Sequence, residues 1–272
     1  MLAYRDRGAG ALQQSPPHQN EVNARVWERM RPQHLYTRGR LRAAERVLFE
    51  RYHAELSGRV LELGCGGGRI TGHLVPLAGS LTGVDVSGQM VACCQRRYAQ
   101  AHFERRDIRD LSSFQTGSFE AIVAGFSVID VLDDPQRKRL LDELHRLLTR
   151  GGLVIFSSHN LACAPLVRGP LASFSWNPIR SLNRLVRLPR ALRNHRRLAC
   201  LEQVHPDYRI LNDVAHDHSM LHYYISRDGQ QHQLEQHRFE LLECLDLDGS
   251  PVPAGADAFG CHELHYAARR VS

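Results

Sequence analysis

Residues Val60-Leu61-Glu62-Leu63-Gly64-Cys65-Gly66-Gly67-Gly68-Arg69 constrain this chain more than any other stretch. An apolar run that stops abruptly at glycines is how a buried strand delivers a loop to a ligand. Val60, Leu61 and Leu63 suit a strand covered on both faces, while Gly64, Gly66, Gly67 and Gly68 lack the Cβ atoms that would hold backbone amides away from a bound molecule. A helix is expected from about Arg69.

The segments that follow repeat the pattern. A second strand, Ser80 to Val84, stops at Asp85, and Val86-Ser87-Gly88-Gln89-Met90 opens a helix through Tyr98 with Ser87 as its N-cap. Ala101 to Arg105 reads as a short third strand and Phe119 to Phe126 as a central parallel one. Pro135 then starts a helix that buries Leu140, Leu141, Leu144, Leu147 and Leu148 and ends at Gly151-Gly152, before a fifth strand from Leu153 to Ser157. Alternating β and α segments specify an α/β fold with a doubly wound, mostly parallel sheet.

Two helices precede this core, one from Glu21 with Val22, Val26 and Met30 on a face, the other with Leu41, Ala44, Val47 and Leu48. Residues 1–20 lack apolar periodicity and are expected to form a mobile leader. Toward the other end, Met220 to Ile225 reads as a strand, Arg227 to His237 as a helix capped by Ser226, and Glu240 to Leu247 and Glu263 to Arg269 as strands forming an antiparallel edge.

The regularity breaks at Asn160. No acidic residue lies between Glu143 and Glu202, whereas Arg168, Arg180, Arg184, Arg187, Arg190, Arg193, Arg196 and Arg197 all fall in that interval. Ile179, Leu182, Leu185 and Val186 share one helical face and Arg180, Arg184 and Arg187 another, giving an amphipathic basic helix up to Pro189. The expected organisation is a core over 21–159, a basic insertion over 160–218 and completion of the core over 219–272.

Composition narrows the class. The chain has 272 residues, 43% apolar and 24% charged, enough for one large domain with an insertion. No segment approaches the roughly 18 uninterrupted apolar residues of a membrane span, and no basic stretch followed by an apolar run opens the sequence. The seven cysteines are odd in number and scattered, which favours reduced thiols and a cytoplasmic location. The net charge of +6 is concentrated in the insertion.

A dinucleotide-binding loop requires glycine at its first, third and sixth positions; counting from Gly64, the sixth is Arg69. A phosphate-cradling P-loop is excluded because no Gly-Lys-Ser or Gly-Lys-Thr follows. Glu62-Leu63-Gly64-Cys65-Gly66-Gly67-Gly68 instead resembles motif I of class I S-adenosylmethionine-dependent methyltransferases. Gly83-Val84-Asp85-Val86-Ser87 with Met90, Arg106-Asp107-Ile108, Phe119-Glu120-Ala121-Ile122-Val123 and Leu148-Thr149-Arg150-Gly151-Gly152-Leu153-Val154-Ile155 extend the likeness over residues 35–160. It implies a Rossmann-like fold with an inserted lid and S-adenosyl-L-methionine as cofactor.

The resemblance also implies a donor site. It draws Glu62, Gly64, Cys65 and Gly66 from the loop, the two glycines approaching the methionine part. Asp85 accepts the ribose hydroxyls, beside Val86. Asp107 and Ile108 meet the adenine edge, Met90 and Phe126 sandwich the base, and Tyr36 or Arg40 reaches the carboxylate. Cys65 is read as a small loop residue rather than a nucleophile.

Methyl transfer to a hydroxyl or protonated amine needs a base. His159, just after the fifth strand, is the leading candidate, followed by His222 and Tyr223 near the lid and by Asp130. No metal is required. His216, His218 and His222 with Asp213 and Asp217 do not encode a ligand set by their spacing.

The resemblance assigns choice of acceptor to the insertion. Its arginines suit a small anionic, saccharide or lipid-linked acceptor, a peripheral contact with an anionic membrane surface, or a merely solvated face. Nucleic acid ranks below these, since Phe174 and Trp176 are the few aromatic residues available for stacking. The expected function is methyl transfer to oxygen or nitrogen of a small-molecule, saccharide or lipid-linked acceptor. A nucleic-acid methyltransferase and a silent donor-binding partner subunit are the alternatives.

Overall fold

Strand β1 (Arg59–Leu63) lies at the centre of the sheet, parallel to β2 (Ser80–Asp85) on one side and β4 (Phe119–Ala124) on the other. β3 (His102–Arg105) continues beyond β2, and β5 (Leu148–Asn160) lies parallel to β4. β10 (Glu263–Arg270) runs antiparallel against β5, with β9 (Phe239–Leu245) antiparallel outside it. These details come from a computed structural model that describes residues 18–31, 37, 39–164, 169–170 and 178–272, with backbone alone for 178–184.

Period-two alternation explains why the strands are apolar throughout. Leu61, Ile122, Val154 and Tyr266 face one core, capped by α6 (Asp134–Leu147) and α8 (Arg227–Gln236); Val60, Val123, Ile155 and Ala267 face another, capped by α2 (Ala43–Arg51), α3 (His53–Leu56) and α4 (Thr71–Leu74). Each fully buried Leu or Ile contributes roughly 1.5–3 kcal/mol, so both layers are strongly fixed. The caps agree with the sequence. Ser87 Oγ accepts from the Met90 amide at 3.4 Å at the start of α5 (Gly88–Arg97), and Ser226 Oγ from the Gly229 amide at 3.0 Å.

Four boundaries differ from expectation. α1 (Gln19–Glu28) begins inside the expected leader, because Asn20 Nδ2 donates to Asp133 Oδ2 at 2.6 Å and Asn20 Oδ1 accepts from the Asp133 amide at 2.8 Å. Residues 1–17 lie outside the described residues. Gly151-Gly152 does not end α6, which stops at Leu147; the pair sits in an irregular start of β5, with Gly151 at φ +71°.

The basic helix α7 (Pro178–Leu198) passes through Pro189 rather than stopping there, at the cost of the N–H that would bond the carbonyl of Leu185. Finally, β6 (Gln203–Val204) and β7 (Tyr208–Leu211) pair antiparallel with one another, and β7 pairs with β8 (His222–Ile225). The boundary expected at 218 therefore falls inside one three-stranded unit. Arg168, Phe174 and Trp176 lie outside the described residues, as do the side chains of Ile179, Arg180, Leu182 and Arg184.

This three-stranded unit branches from β5. His159 pairs with Glu263 of β10 and also with Tyr224 of β8, so the two partners occupy opposite edges; β8 continues the edge that β4 occupies up to Phe156. The tip of β5 thus carries His159 between the central sheet and the branch. No helix among the described residues is long and apolar enough to cross a membrane.

Candidate active site

The carboxyl ends of the parallel strands open onto a cavity of about 210 Å³, where Gly64, Gly66, Asp85, Val86, Met90, Asp107, Ile108, Phe126, His159 and His222 come together. This is where an open α/β sheet binds ligands. Gly64 (φ +62°) and Gly66 (φ +54°) take the left-handed backbone that favours glycine, and a Cβ on Gly64 would meet Val128 Cγ2 at 2.3 Å.

Asp85 closes the loop. Its carboxylate accepts from the Gly66 amide at 2.9 Å and the Ser87 amide at 2.8 Å. Burial pushes its carboxyl above the ordinary value, and those two amides oppose the shift. Beneath the loop, Glu62 is 2% exposed and accepts from Thr71 Oγ1 at 2.6 Å; burial pushes its carboxyl up to about 8. Glu62 therefore braces the loop against α4 and does not line the cavity.

The remaining donor-site expectations divide. Val86, Met90 and Ile108 line the cavity from the β2 and β3 side. Asp107 lines it too, but its carboxylate is clamped by Arg109, with Nη2 at 2.6 Å and Nε at 3.0 Å from both oxygens. Cys65 is turned away: its amide donates to the Val84 carbonyl at 3.0 Å, and its side chain packs with Val91, Cys94 and Phe103. The hydrogen bond with the neighbouring Cys94 thiol, and burial after it, hold the Cys65 thiol well above its ordinary range.

Arg40 does not reach the cavity. It is exposed, and its carbonyl accepts from Arg69 Nη1 at 3.4 Å. Tyr36 lies outside the described residues. Arg97 Nη1 donates to the loop carbonyl of Gly67. Two other cations flank Phe126: Arg69, paired to Glu45 at 2.6 Å, and Arg42, paired to Glu263 at 2.5 Å. Their guanidinium carbons lie 5.0 and 5.1 Å from the Phe126 ring centroid. Phe126 lines the cavity together with Met90, its ring held in place by these two guanidinium groups.

At the other end of the cavity two imidazoles meet. His159 Nδ1 lies 2.7 Å from Asp130 Oδ2, and the His159 amide donates to the same oxygen at 2.6 Å. Asp130 is fully buried and also accepts from Arg137 Nη1 at 2.5 Å and Ser158 Oγ at 2.7 Å. Burial works against the Asp130 carboxylate, but Arg137 and His159 overcome it and hold the group below its ordinary value. Burial likewise opposes charge on His159, and Asp130 overcomes that to raise the imidazole above its ordinary value. No described residue bonds His159 Nε2.

The second imidazole repeats the arrangement. His222 Nδ1 lies 2.9 Å from Asp213 Oδ2, which also accepts from Tyr224 Oη at 2.7 Å, while Asp213 Oδ1 accepts from the Ala215 amide at 2.9 Å. Despite burial, His222 and Tyr224 hold the Asp213 carboxyl well below the carboxylate range. The His159 and His222 rings are 5.2 Å apart at 43°.

Asp130 and Tyr223 are not direct proton acceptors here. Asp130 sits behind His159 with its oxygens committed to four donors, so it orients the imidazole. Tyr223 follows His222 on a strand and so faces the opposite side. Its hydroxyl donates to Asp134 Oδ1 at 2.8 Å, its ring stacks on Tyr208 at 4.7 Å, and burial pushes the phenol far up.

Several cavity residues were not anticipated. Ser127, at φ +52° and 4% exposed, lines the cavity with an Oγ that has no partner among the described residues, while its amide donates to Ser157 Oγ at 2.8 Å. A buried hydroxyl without a partner on a cavity wall is what a bound ligand would satisfy. Trp27 and His216 close one side, their rings meeting edge-on at 5.2 Å. Arg137 had a signal: it continues the Leu140, Leu141 and Leu144 stripe of α6, where a charge needs a buried partner. In sequence, Asp213 stands beside His222 only as part of a rejected metal set; the pairing of β7 with β8 makes it the partner of His222 Nδ1.

The donor site fits a nucleoside-bearing cofactor on three counts: a glycine loop at left-handed φ, an acid at the end of β2, and an unpaired buried hydroxyl opposite. Among the described residues no group of three or more His, Cys, Asp or Glu side chains is arranged to hold a metal.

Comparison with known proteins agrees with this geometry. Residues 60–152 match the family model described as a methyltransferase domain. The ubiquinone biosynthesis O-methyltransferase of Xanthomonas oryzae pv. oryzae is 29% identical over 111 residues, 39% of this chain and 45% of that protein. The malonyl-[acyl-carrier protein] O-methyltransferase of Enterobacter lignolyticus is 28% identical over 145 residues, 53% and 55%. The chain spans about half the length of the curated relatives it matches.

Among solved structures, an S-adenosylmethionine-dependent methyltransferase from Clostridium acetobutylicum superposes with a TM-score of 0.58 at 13% identity, covering 85% of this chain and 92% of that one. One from Mesorhizobium loti gives 0.55 at 20% identity, covering 84% and 98%. Both share the fold.

Proposed function

We propose that this chain, whose residues 60–152 match a methyltransferase-domain model, is a class I S-adenosylmethionine-dependent methyltransferase that methylates an oxygen of a small-molecule acceptor, with His159 Nε2 taking the acceptor's proton. The bound donor supplies an electrophilic sulfonium methyl. Asp85 would hold its ribose and the left-handed glycines Gly64 and Gly66 would let its methionine part approach the loop, so that the protein's remaining work is to orient the acceptor and exclude water.

The observation that carries the reading is the Asp130–His159 pair. A buried carboxylate at Nδ1 fixes the tautomer, so the open Nε2 is the proton-accepting nitrogen, and it lies on the same cavity as Gly64 and Asp85. A base serves a hydroxyl and a protonated amine alike; oxygen is favoured because relatives of this chain are O-methyltransferases.

We also infer a peripheral contact between α7 and an anionic surface, which would bring the site to a lipid-linked acceptor. Leu185 and Val186 are 58% and 75% exposed, and Pro189, Leu192, Arg193, Arg196 and Arg197 line an open hollow further along the helix. Apolar side chains flanked by arginines suit a membrane interface.

The experiment is calorimetry with S-adenosylmethionine, S-adenosylhomocysteine and NAD, followed by methyl incorporation into fractionated cell extract by wild type and His159→Gln. The reading expects both sulfur cofactors to bind, NAD not to bind, and product only with wild type. NAD binding with no response to either sulfur cofactor would overturn it. Donor binding without incorporation into any fraction would favour a silent partner subunit.

A further inference from the structure

The structure assigns His222 to a second acceptor contact: we propose that the acceptor carries two proton-bearing oxygens on adjacent carbons, one deprotonated by His159 and methylated, the other donating to His222. The inference rests on the methyl-transfer reading and adds the class of acceptor to it.

The argument is one of counting protons. Asp130 Oδ2 faces His159 Nδ1 at 2.7 Å and Asp213 Oδ2 faces His222 Nδ1 at 2.9 Å. An ionised carboxylate only accepts, so each neutral imidazole carries its proton on Nδ1 and leaves Nε2 as a bare acceptor. Each carboxylate is also anchored by other donors, Arg137 and Ser158 on Asp130, Tyr224 and the Ala215 amide on Asp213. The tautomers are therefore fixed by two separate networks. No described residue donates to either Nε2, although both rings line one cavity.

Two acceptor nitrogens on one cavity require two donated protons. A single hydroxyl has one, and with it the second nitrogen would face an oxygen lone pair. Two hydrogen bonds of about 2.8 Å bridge rings 5.2 Å apart when the donor oxygens are neighbours on one carbon frame. The apolar walls beside them, Val128, Val131 and Leu132, suit the carbon frame itself. In the reaction the O–H bond at the first oxygen breaks toward His159 Nε2, the new carbon–oxygen bond forms as the carbon–sulfur bond breaks, and S-adenosylhomocysteine departs neutral. The second hydroxyl keeps its proton on oxygen and donates it as a hydrogen bond to His222 Nε2 throughout.

The test is calorimetry on the full chain saturated with S-adenosylhomocysteine, using 1,2-dihydroxybenzene and phenol as probes, with imidazole NMR resonances followed in parallel. The dihydroxy probe should bind about tenfold tighter, the worth of one hydrogen bond, and shift the signals of both His159 and His222. His222→Phe should erase the preference while leaving phenol and S-adenosylhomocysteine affinity unchanged; His222→Gln, which still hydrogen-bonds, should keep part of it.

Equal affinity for the probes, binding of neither, or a preference that survives in His222→Phe overturns the proposal while the donor reading stands. Failure of S-adenosylhomocysteine to bind overturns the donor reading, and the proposal with it.

Discussion

The Asp130 carboxylate, without any exposure to solvent, lies 2.7 Å from His159 Nδ1 and also receives the His159 backbone amide. One oxygen thus fixes both the position and the tautomer of the imidazole.

Removing the base should cost turnover and spare the donor. His159→Gln is expected to lower kcat by about 10²–10⁴, the usual contribution of general base catalysis. Affinity for S-adenosylhomocysteine should stay within about twofold, a difference of less than 1 kcal/mol. Single-turnover kinetics with calorimetry measures both, and a comparable loss of donor affinity would contradict the assignment.

The pH dependence follows from the direction of the His159 shift. Its folded value lies above the ordinary 6.5, so turnover should rise with pH through a midpoint above 6.5 as Nε2 becomes free. Stability moves oppositely. The imidazolium–carboxylate contribution is complete below 6.5 and is lost as pH rises through the raised folded value. The Asp130 contribution is present above 3.8 and is lost as pH falls through its lowered folded value. A rate profile over about pH 5–9 reads the turnover trend, and a denaturation series extended down to about pH 2 reads both stability trends.

Asp85→Ala should weaken donor binding by about 10–100-fold, since it removes charge-assisted hydrogen bonds worth roughly 1.5–3 kcal/mol. It also frees the Gly66 and Ser87 amides. Because burial raises the Asp85 carboxyl, donor affinity in the wild type should decline on acidification, and calorimetry in a pH series would detect it. A flat series in the wild type would argue against an ionised Asp85 as the ribose contact.

The Arg69–Glu45 pair is a stability element. Both side chains are under 10% exposed and joined by two hydrogen bonds of 2.6 and 2.7 Å. Arg69→Ala should cost about 3–5 kcal/mol by stranding the Glu45 carboxylate, lowering the melting temperature by about 10 °C. Arg69→Met with Glu45→Leu should recover most of it in the same thermal scan.

Replacing Leu185 and Val186 together by Asp should abolish binding to vesicles of phosphatidylglycerol without altering the melting temperature, because both side chains are solvent-exposed. Vesicles of phosphatidylcholine serve as the control. Equal sedimentation of wild type and variant with the anionic vesicles would remove α7 as the contact.

The donor half of the site could be read directly from the chain because its signals are local. Gly64, Gly66, Asp85, Ser87 and Ile108 each lie at the end of a strand or within three residues of it, and strand ends are marked by where apolar runs stop. His159 was legible for the same reason. The acceptor half depends on long-range pairing. Asp213 reaches His222 only through β7 and β8, and Tyr223 points away because alternation along a strand whose faces were unknown decides the matter. Arg40 stays exposed outside the cavity, and the buried cation by the loop is Arg69, at the position where a dinucleotide loop has glycine.

The placement of β10 bears on how the protein is made. It enters between β5 and β9, roughly a hundred residues after the strand it joins. While the chain emerges from a ribosome, β5 carries an unsatisfied edge until these late residues arrive. A nascent chain arrested before Glu263 would therefore hold the donor loop and His159 but expose a sticky strand edge, and its yield would depend on chaperones more than on the strength of the finished fold.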